Sequence, residues 1–206
     1  MLRPVNRPDD ESLALLERWH VDDHQHLASS LRAHLLGVHG LLRQWGARPA
    51  LCRAGLFHAV DGTQHFHAKL ARDPGALADS IGAEAAGLIA LYTACDRDSV
   101  WVQIGRVAVV QFIDRHTGAT RPMSASELAD FCELTMANEL DILRRERAHR
   151  DAYGALFREL LSRMRPFVSA PAWSSFVLIL GERERPIARA ARLLRKVLRR
   201  LNLTRA

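Results

Sequence analysis

The chain has 206 residues, 48% hydrophobic and 25% charged, with a formal net charge of +6. That is enough for one domain with a substantial core, or one domain and an appendage. No apolar run is long enough to span a bilayer as a helix, the N-terminal stretch MLRPVNRPDDES lacks the apolar centre of a secretory signal, and Cys52, Cys95 and Cys132 form neither a disulfide framework nor a C-x-x-C metal pair. A cytoplasmic protein with free, half-buried thiols is expected. The charge is unevenly spread: residues 183–206 carry nine Arg or Lys against Glu184 alone, so the rest sums to about −2. The body therefore gives no electrostatic reason to expect nucleic acid.

In chain order, residues 9–19 predict a short helix opened by Asp9 or Asp10, with Leu13, Leu16 and Trp19 on one face. A histidine-rich link, HVDDHQH, reads as a turn with surface histidines at His20 and His24. Leu27, Leu31, Leu35, Val38, Leu41, Leu42 and Trp45 then recur at steps of three and four, the mark of an amphipathic helix. Gly46 suits a left-handed cap and Pro49 the first turn of the next helix, about 49–59, whose small and apolar residues predict burial. After a 61–75 loop another helix is expected over about 82–95. The stretches VWVQIG and VAVVQFID in 100–113 suggest a small hairpin or two short strands. Ser124 and Glu127 form a capping-box signature that opens a long helix, with more helix to about 164. MRPFVSAPAW reads as a connector, and the tail as a basic amphipathic helix.

The chemistry-bearing pattern centres on AGLFHAVDGT, residues 54–63. His34 lies among the apolar positions of its predicted helix and His58 at the end of the next, with His26 placed on the same helix as His34. Two inward imidazoles need partners, because burying one unpaired costs roughly 1–3 kcal/mol. A shared metal ion would satisfy both; so would hydrogen bonds to backbone, carboxylate or buried water. Asp61-Gly62-Thr63 reads as a turn ending the helix or as a loop lining a pocket. Asp96-Arg97-Asp98 reads as an ion pair at a helix end, or Arg97 as a grip on an anionic ligand. Asn138 and Asp141, three apart in a helix, share a face. His65 and His67 fit a solvated loop. No G-x-S-x-G, phosphate loop or dinucleotide fingerprint occurs.

The stretch RAHLLGVHGLLRQWGARPALCRAGLFHAV resembles the opening of the HD-domain superfamily, with His34 and His58 at its two histidine positions. The phrases HLLGVHGLLRQWGA, AGLFHAVDGT, IGAEAAGLIALYTACDR, DRHTG and LTMANELDIL further resemble an uncharacterised bacterial HD-like family, a domain of unknown function (DUF6817), over about residues 26–145. The resemblance implies a mostly α HD-like helical bundle with a small β-hairpin, a metal at His34 and His58, and a pocket histidine at His26. The chain departs from the superfamily at two places: Ala59 stands where the His-Asp pair has its aspartate, and Asn138 where the closing aspartate is expected. Asp61, Asp96 or Asp141 would have to restore a carboxylate.

The expectation is an HD-like domain over 1–165 with a C-terminal extension, 166–206. One function expected is a metal-dependent enzyme acting on a small molecule, with Fe, Zn or Mn held by His34, His58 and Asp61 or Asp141, and Asp61, Asp96, Arg97 and Asn138 as catalytic candidates. Its chemistry would be hydrolysis of a phosphoryl or related ester, or iron-dependent oxidation. The other is a degenerate, metal-free HD-like module that binds a small molecule or a partner protein in the same pocket. For the basic tail, packing on the body or a homodimer contact, an anionic membrane surface, and, least favoured, nucleic acid are the partners considered.

Overall fold

In the computed structural model, residues 8–23, 25–26, 29–66 and 76–181 are described. The basic tail, His24 and His67 lie outside them, as does the side chain of His26. The described chain is mostly helical, with nine α-helices and two small two-stranded antiparallel ladders.

Helix α1 (Asp10–Arg18) starts where the Asp9 carboxylate accepts the Ser12 N–H. A 3-10 turn over Val21–Asp23 follows, then strands β1 (Gln25–His26) and β2 (Ser29–Ser30). His26 therefore sits on a strand, and α2 (Leu31–Gln44) begins at Leu31 with Ser30 as its cap, four residues later than periodicity alone predicts. Gly46 takes φ 75°, and Pro49 opens α3 (Pro49–Phe57). Gly55 lets α2 and α3 close on each other, since a Cβ there would run into the Leu42 side chain.

Beyond α4 (Ala76–Ile81) and α5 (Ala83–Ala94), the β-branched stretch departs from expectation. Asp96 accepts the Ser99 N–H and caps a short helix, α6 (Arg97–Trp101), so Val100 and Trp101 are helical. Only β3 (Gln111–Ile113), paired with β4 (Thr120–Pro122), forms the hairpin. Helix α7 (Ala125–Arg145) carries the full capping box of Ser124 and Glu127, and α8 (Arg147–Arg163) follows it. The expected connector contains the start of α9 (Ala170–Leu180), capped by Ser169 with Pro171 in its first turn. Ser169 in turn donates both its N–H and its hydroxyl to Glu133 of α7.

Helix α7 is the central element: it packs against α2, α3, α5, α8 and α9. Leu134, Met136, Leu140 and Leu143 of α7 join Val38 and Leu42 of α2, Leu160 of α8 and Phe176 of α9 in the main core. Residues 170–180 thus belong to the body. A second cluster unites Leu16, Leu35, Leu56, Phe57 and Ile89 beneath the N-terminal helices. Each fully buried leucine or phenylalanine contributes about 1.5–3 kcal/mol. All three cysteines are buried and free. Among the described residues, no helix is long and apolar enough to cross a membrane.

Candidate functional site

Three elements bring the predicted residues together. His34 closes the first turn of α2, His58 follows the last residue of α3, and Asn138 faces both from the middle of α7. The Asn138 side-chain oxygen lies 3.0 Å from Nε2 of His34 and 2.8 Å from Nε2 of His58. Both histidines are 1% exposed. Their rings meet edge to face, 5.3 Å between centroids. His39, also buried on α2, is directed elsewhere, its Nδ1 donating to the Cys52 carbonyl at 3.0 Å.

The outer nitrogens are fixed. His58 Nδ1–H donates to the Gly55 carbonyl at 2.9 Å, and His34 Nδ1–H to Asp141 Oδ2 at 3.0 Å. Burial pushes the His58 ring down to about 3, with the neighbouring His34 adding to the effect, so it is neutral at physiological pH. Asp141 is fully buried, and burial alone would raise its carboxyl. The bonds from His34 and Arg145 outweigh that and hold it below its usual value. Arg144 and Arg145 reach the same carboxylate at 3.1 and 2.8 Å. Gly37 makes room: a Cβ there would land on the Asp141 carboxylate.

On the other side of Asn138 stands Glu139, 4% exposed, whose Oε1 is 2.8 Å from the Asn138 amide nitrogen. Burial raises its carboxyl, against the opposing charge of Arg97 and the bond to Asn138. Glu139, Asn138 and His58 form the floor of a cleft of about 380 Å³. Its far wall is aromatic: Trp101 of α6 and His149, Tyr153 and Phe157 of α8. Arg97, 3% exposed, lines the cleft and bonds to Thr63 Oγ1 and the Tyr92 hydroxyl.

The remaining sequence candidates are dispersed. Asp96 is the α6 cap, bonded to Ser99 and Gln64. Asp98 pairs with His65 at the cleft rim, 3.2 Å apart, so Arg97 is not part of the expected ion pair. Asp61 lies in the turn after α3, half-buried, and does not line the cleft. Asp141 is bonded to the opposite nitrogen of His34 from the one that faces Asn138 and His58. Glu139 and the aromatic wall are site residues that the sequence alone does not point to. The spacing of His149, Tyr153 and Phe157 at four-residue steps was the available signal for the wall.

This donor set fits a divalent metal poorly. Imidazole and amide ligands bring no negative charge, the nearest carboxylates are bonded to Asn138 and to the far side of His34, and among the described residues no three His, Cys, Asp or Glu gather as ligands.

Residues 15–97 match the family model described as a domain of unknown function, DUF6817. That segment holds His34, His58 and Arg97, whereas Asn138, Glu139 and the α8 wall lie beyond it. No curated protein and no solved structure matches the chain.

Proposed function

We propose that the protein binds a small molecule in this cleft, on an HD-like scaffold in which a hydrogen-bonded network replaces the metal. The placement of Asn138 carries the reading. A carbonyl only accepts, so His58 Nδ1 must hold the proton given to Gly55, and a neutral ring then offers a lone pair at Nε2. An amide oxygen facing that lone pair repels it. Half a turn of the amide brings its NH₂ between the two rings instead, and each hydrogen meets one Nε2. The amide oxygen then faces Glu139, whose raised carboxyl supplies an O–H. Oxygen and nitrogen of an amide have nearly the same shape, so the network decides between them. In this arrangement every polar group in the chain of bonds is matched and no charge is added to the interior.

The pocket above the network has the character of a ligand site: concave, largely apolar, with a few polar groups converging at one end. A second reading, the metal-dependent enzyme with His34 and His58 as ligands, is favoured by one observation. Both rings donate Nδ1–H outward and turn Nε2 to a common point, as metal-bound histidines do.

Elemental analysis separates the two. Untagged protein grown with iron and zinc, beside His34→Ala and His58→Ala, is expected to carry no stoichiometric metal. Near-stoichiometric metal lost in both variants would overturn the metal-free reading in favour of the second. Binding itself is read by NMR with a mixed set of aromatic fragments, which should shift the Trp101 indole N–H. A set that leaves Trp101, His149 and Tyr153 undisturbed argues against a small-molecule cleft.

A further inference from the structure

The cleft contains a buried cation that no carboxylate touches. Arg97 Nη1 donates to the Tyr92 hydroxyl at 3.1 Å and Nη2 to Thr63 Oγ1 at 2.9 Å, both neutral acceptors. Its Nε has no partner. The acids around it are engaged elsewhere: Asp96 with Ser99 and Gln64, Asp98 with His65, and Glu139 with the Asn138 amide. Among the described residues, Arg97 has no ion pair.

A guanidinium cannot shed its charge, and it has five N–H donors, of which two are used here. Leaving it unpaired in the interior carries a desolvation penalty with no ion pair to offset it. The faces of Tyr92 and Trp101, 5.1 and 5.6 Å from its Cζ, offset part of that. The remaining deficit is one negative charge, at the inner end of a cleft open to small molecules. From the Trp101 ring a run of aromatic side chains leads along the cleft: Trp101 lies 6.3 Å from Phe157, Phe157 5.9 Å from His149, and His149 4.7 Å from Tyr153.

We propose that Arg97 is the anchor for an oxyanion, a carboxylate or phosphate monoester, borne on an aromatic body. The oxyanion meets the planar fork of Arg97 beside Thr63, and the ring lies along Trp101, Phe157, His149 and Tyr153. Arginine suits this task because its fork matches two oxygens at once, which a lysine ammonium does not. The inference rests on the reading of the cleft as a small-molecule site.

The test uses full-length protein and four probes: benzoate, phenyl phosphate, benzamide and inorganic phosphate, titrated by calorimetry with the NMR signal of the Trp101 indole N–H as a second readout. At least one aromatic acid is expected to bind about tenfold or more tighter than benzamide. The stronger of benzoate and phenyl phosphate identifies the headgroup, and inorganic phosphate should bind more weakly than phenyl phosphate. Arg97→Gln should abolish the preference for acid over amide and leave benzamide binding in place. Arg97→Lys, which keeps the charge, should retain part of the preference and serves if the glutamine variant does not fold. Benzamide binding as tightly as both acids in the wild type overturns the anchor but leaves the small-molecule cleft intact. Inorganic phosphate binding as tightly as phenyl phosphate overturns the aromatic body. Failure of all four probes in the millimolar range overturns the inference together with the reading beneath it.

Discussion

Asp141 and Glu139 stand two residues apart on α7, both almost wholly buried, and their carboxyls are driven in opposite directions. Asp141 faces α2, where His34 donates to it, while Arg145 of its own helix donates as well, and it is held in the ionised form. Glu139 faces the cleft, where the Asn138 amide is its one side-chain hydrogen bond, and burial pushes it toward the neutral acid against the field of Arg97. Burial opposes charge in both, so the number of donors in direct contact decides the outcome. Asp141 acts as a strut between two helices, and Glu139 as part of the surface a ligand would see.

The strut should be the more expensive to remove. Asp141→Ala leaves the His34 Nδ1–H and two arginines without their acceptor, and a loss of about 3–5 kcal/mol is expected in urea unfolding. A loss below about 1 kcal/mol would mean the carboxylate does not hold α2 and α7 together. Gly37→Ala tests the same seam from α2. In an exposed helix this change would stabilise by about 1 kcal/mol. Here the new Cβ meets the carboxylate, so the sign should reverse, with a loss of about 2–3 kcal/mol.

His58 gives the next effect, through pH. Its folded-state value, about 3, lies below the ordinary 6.5. Between those values the unfolded chain binds the extra proton, so stability falls as pH drops. His34, Arg97, Tyr92 and Asn138 are its neighbours. Burial lowers His39 and His149 as well, with the same sign. From pH 7 to pH 5 the His58 share is about 2 kcal/mol. Urea melts of His58→Gln should be flatter over that range than wild type. Parallel curves would show that the ring does not titrate with unfolding.

Much of the frame was legible in the sequence. Periodicity places α2, Pro49 and the small apolar run place α3, and Ser124 with Glu127 opens α7, because those signals are local. Where tertiary packing or a cap overrides composition, the reading fails. Val100 and Trp101 look like strand residues, yet Asp96 caps them into α6. Ser169 and Pro171 start α9 inside a stretch that resembles a linker. At the site, His34, His58, Asn138 and Asp141 are brought together. Which nitrogen of His34 each one meets depends on the packing of α2 on α7, and that is what directs Asp141 away from the common point. The α8 rings enter the cleft only through the α7–α8 turn, which no local pattern specifies.

Glu139→Gln has the smallest effect and separates the two orientations of Asn138. If the Asn138 NH₂ lies between the histidines, Glu139 donates as a neutral acid, and glutamine can replace that donor with its own amide. Because the folded-state carboxyl is raised, its contribution is fully present below the ordinary 4.5 and is lost as pH rises through the folded value. The variant should then cost about 1 kcal/mol or less near pH 5, and cost nothing or gain stability near pH 8. If instead the amide oxygen faces the histidines around a cation, Asn138 donates to an ionised Glu139, and the penalty should grow with pH. Urea melts of wild type and variant at the two pH values suffice, since the titration of His58 is common to both chains and cancels in their difference. A penalty that rises toward pH 8 would sink the hydrogen-bonded network and return His34 and His58 to the role of ligands.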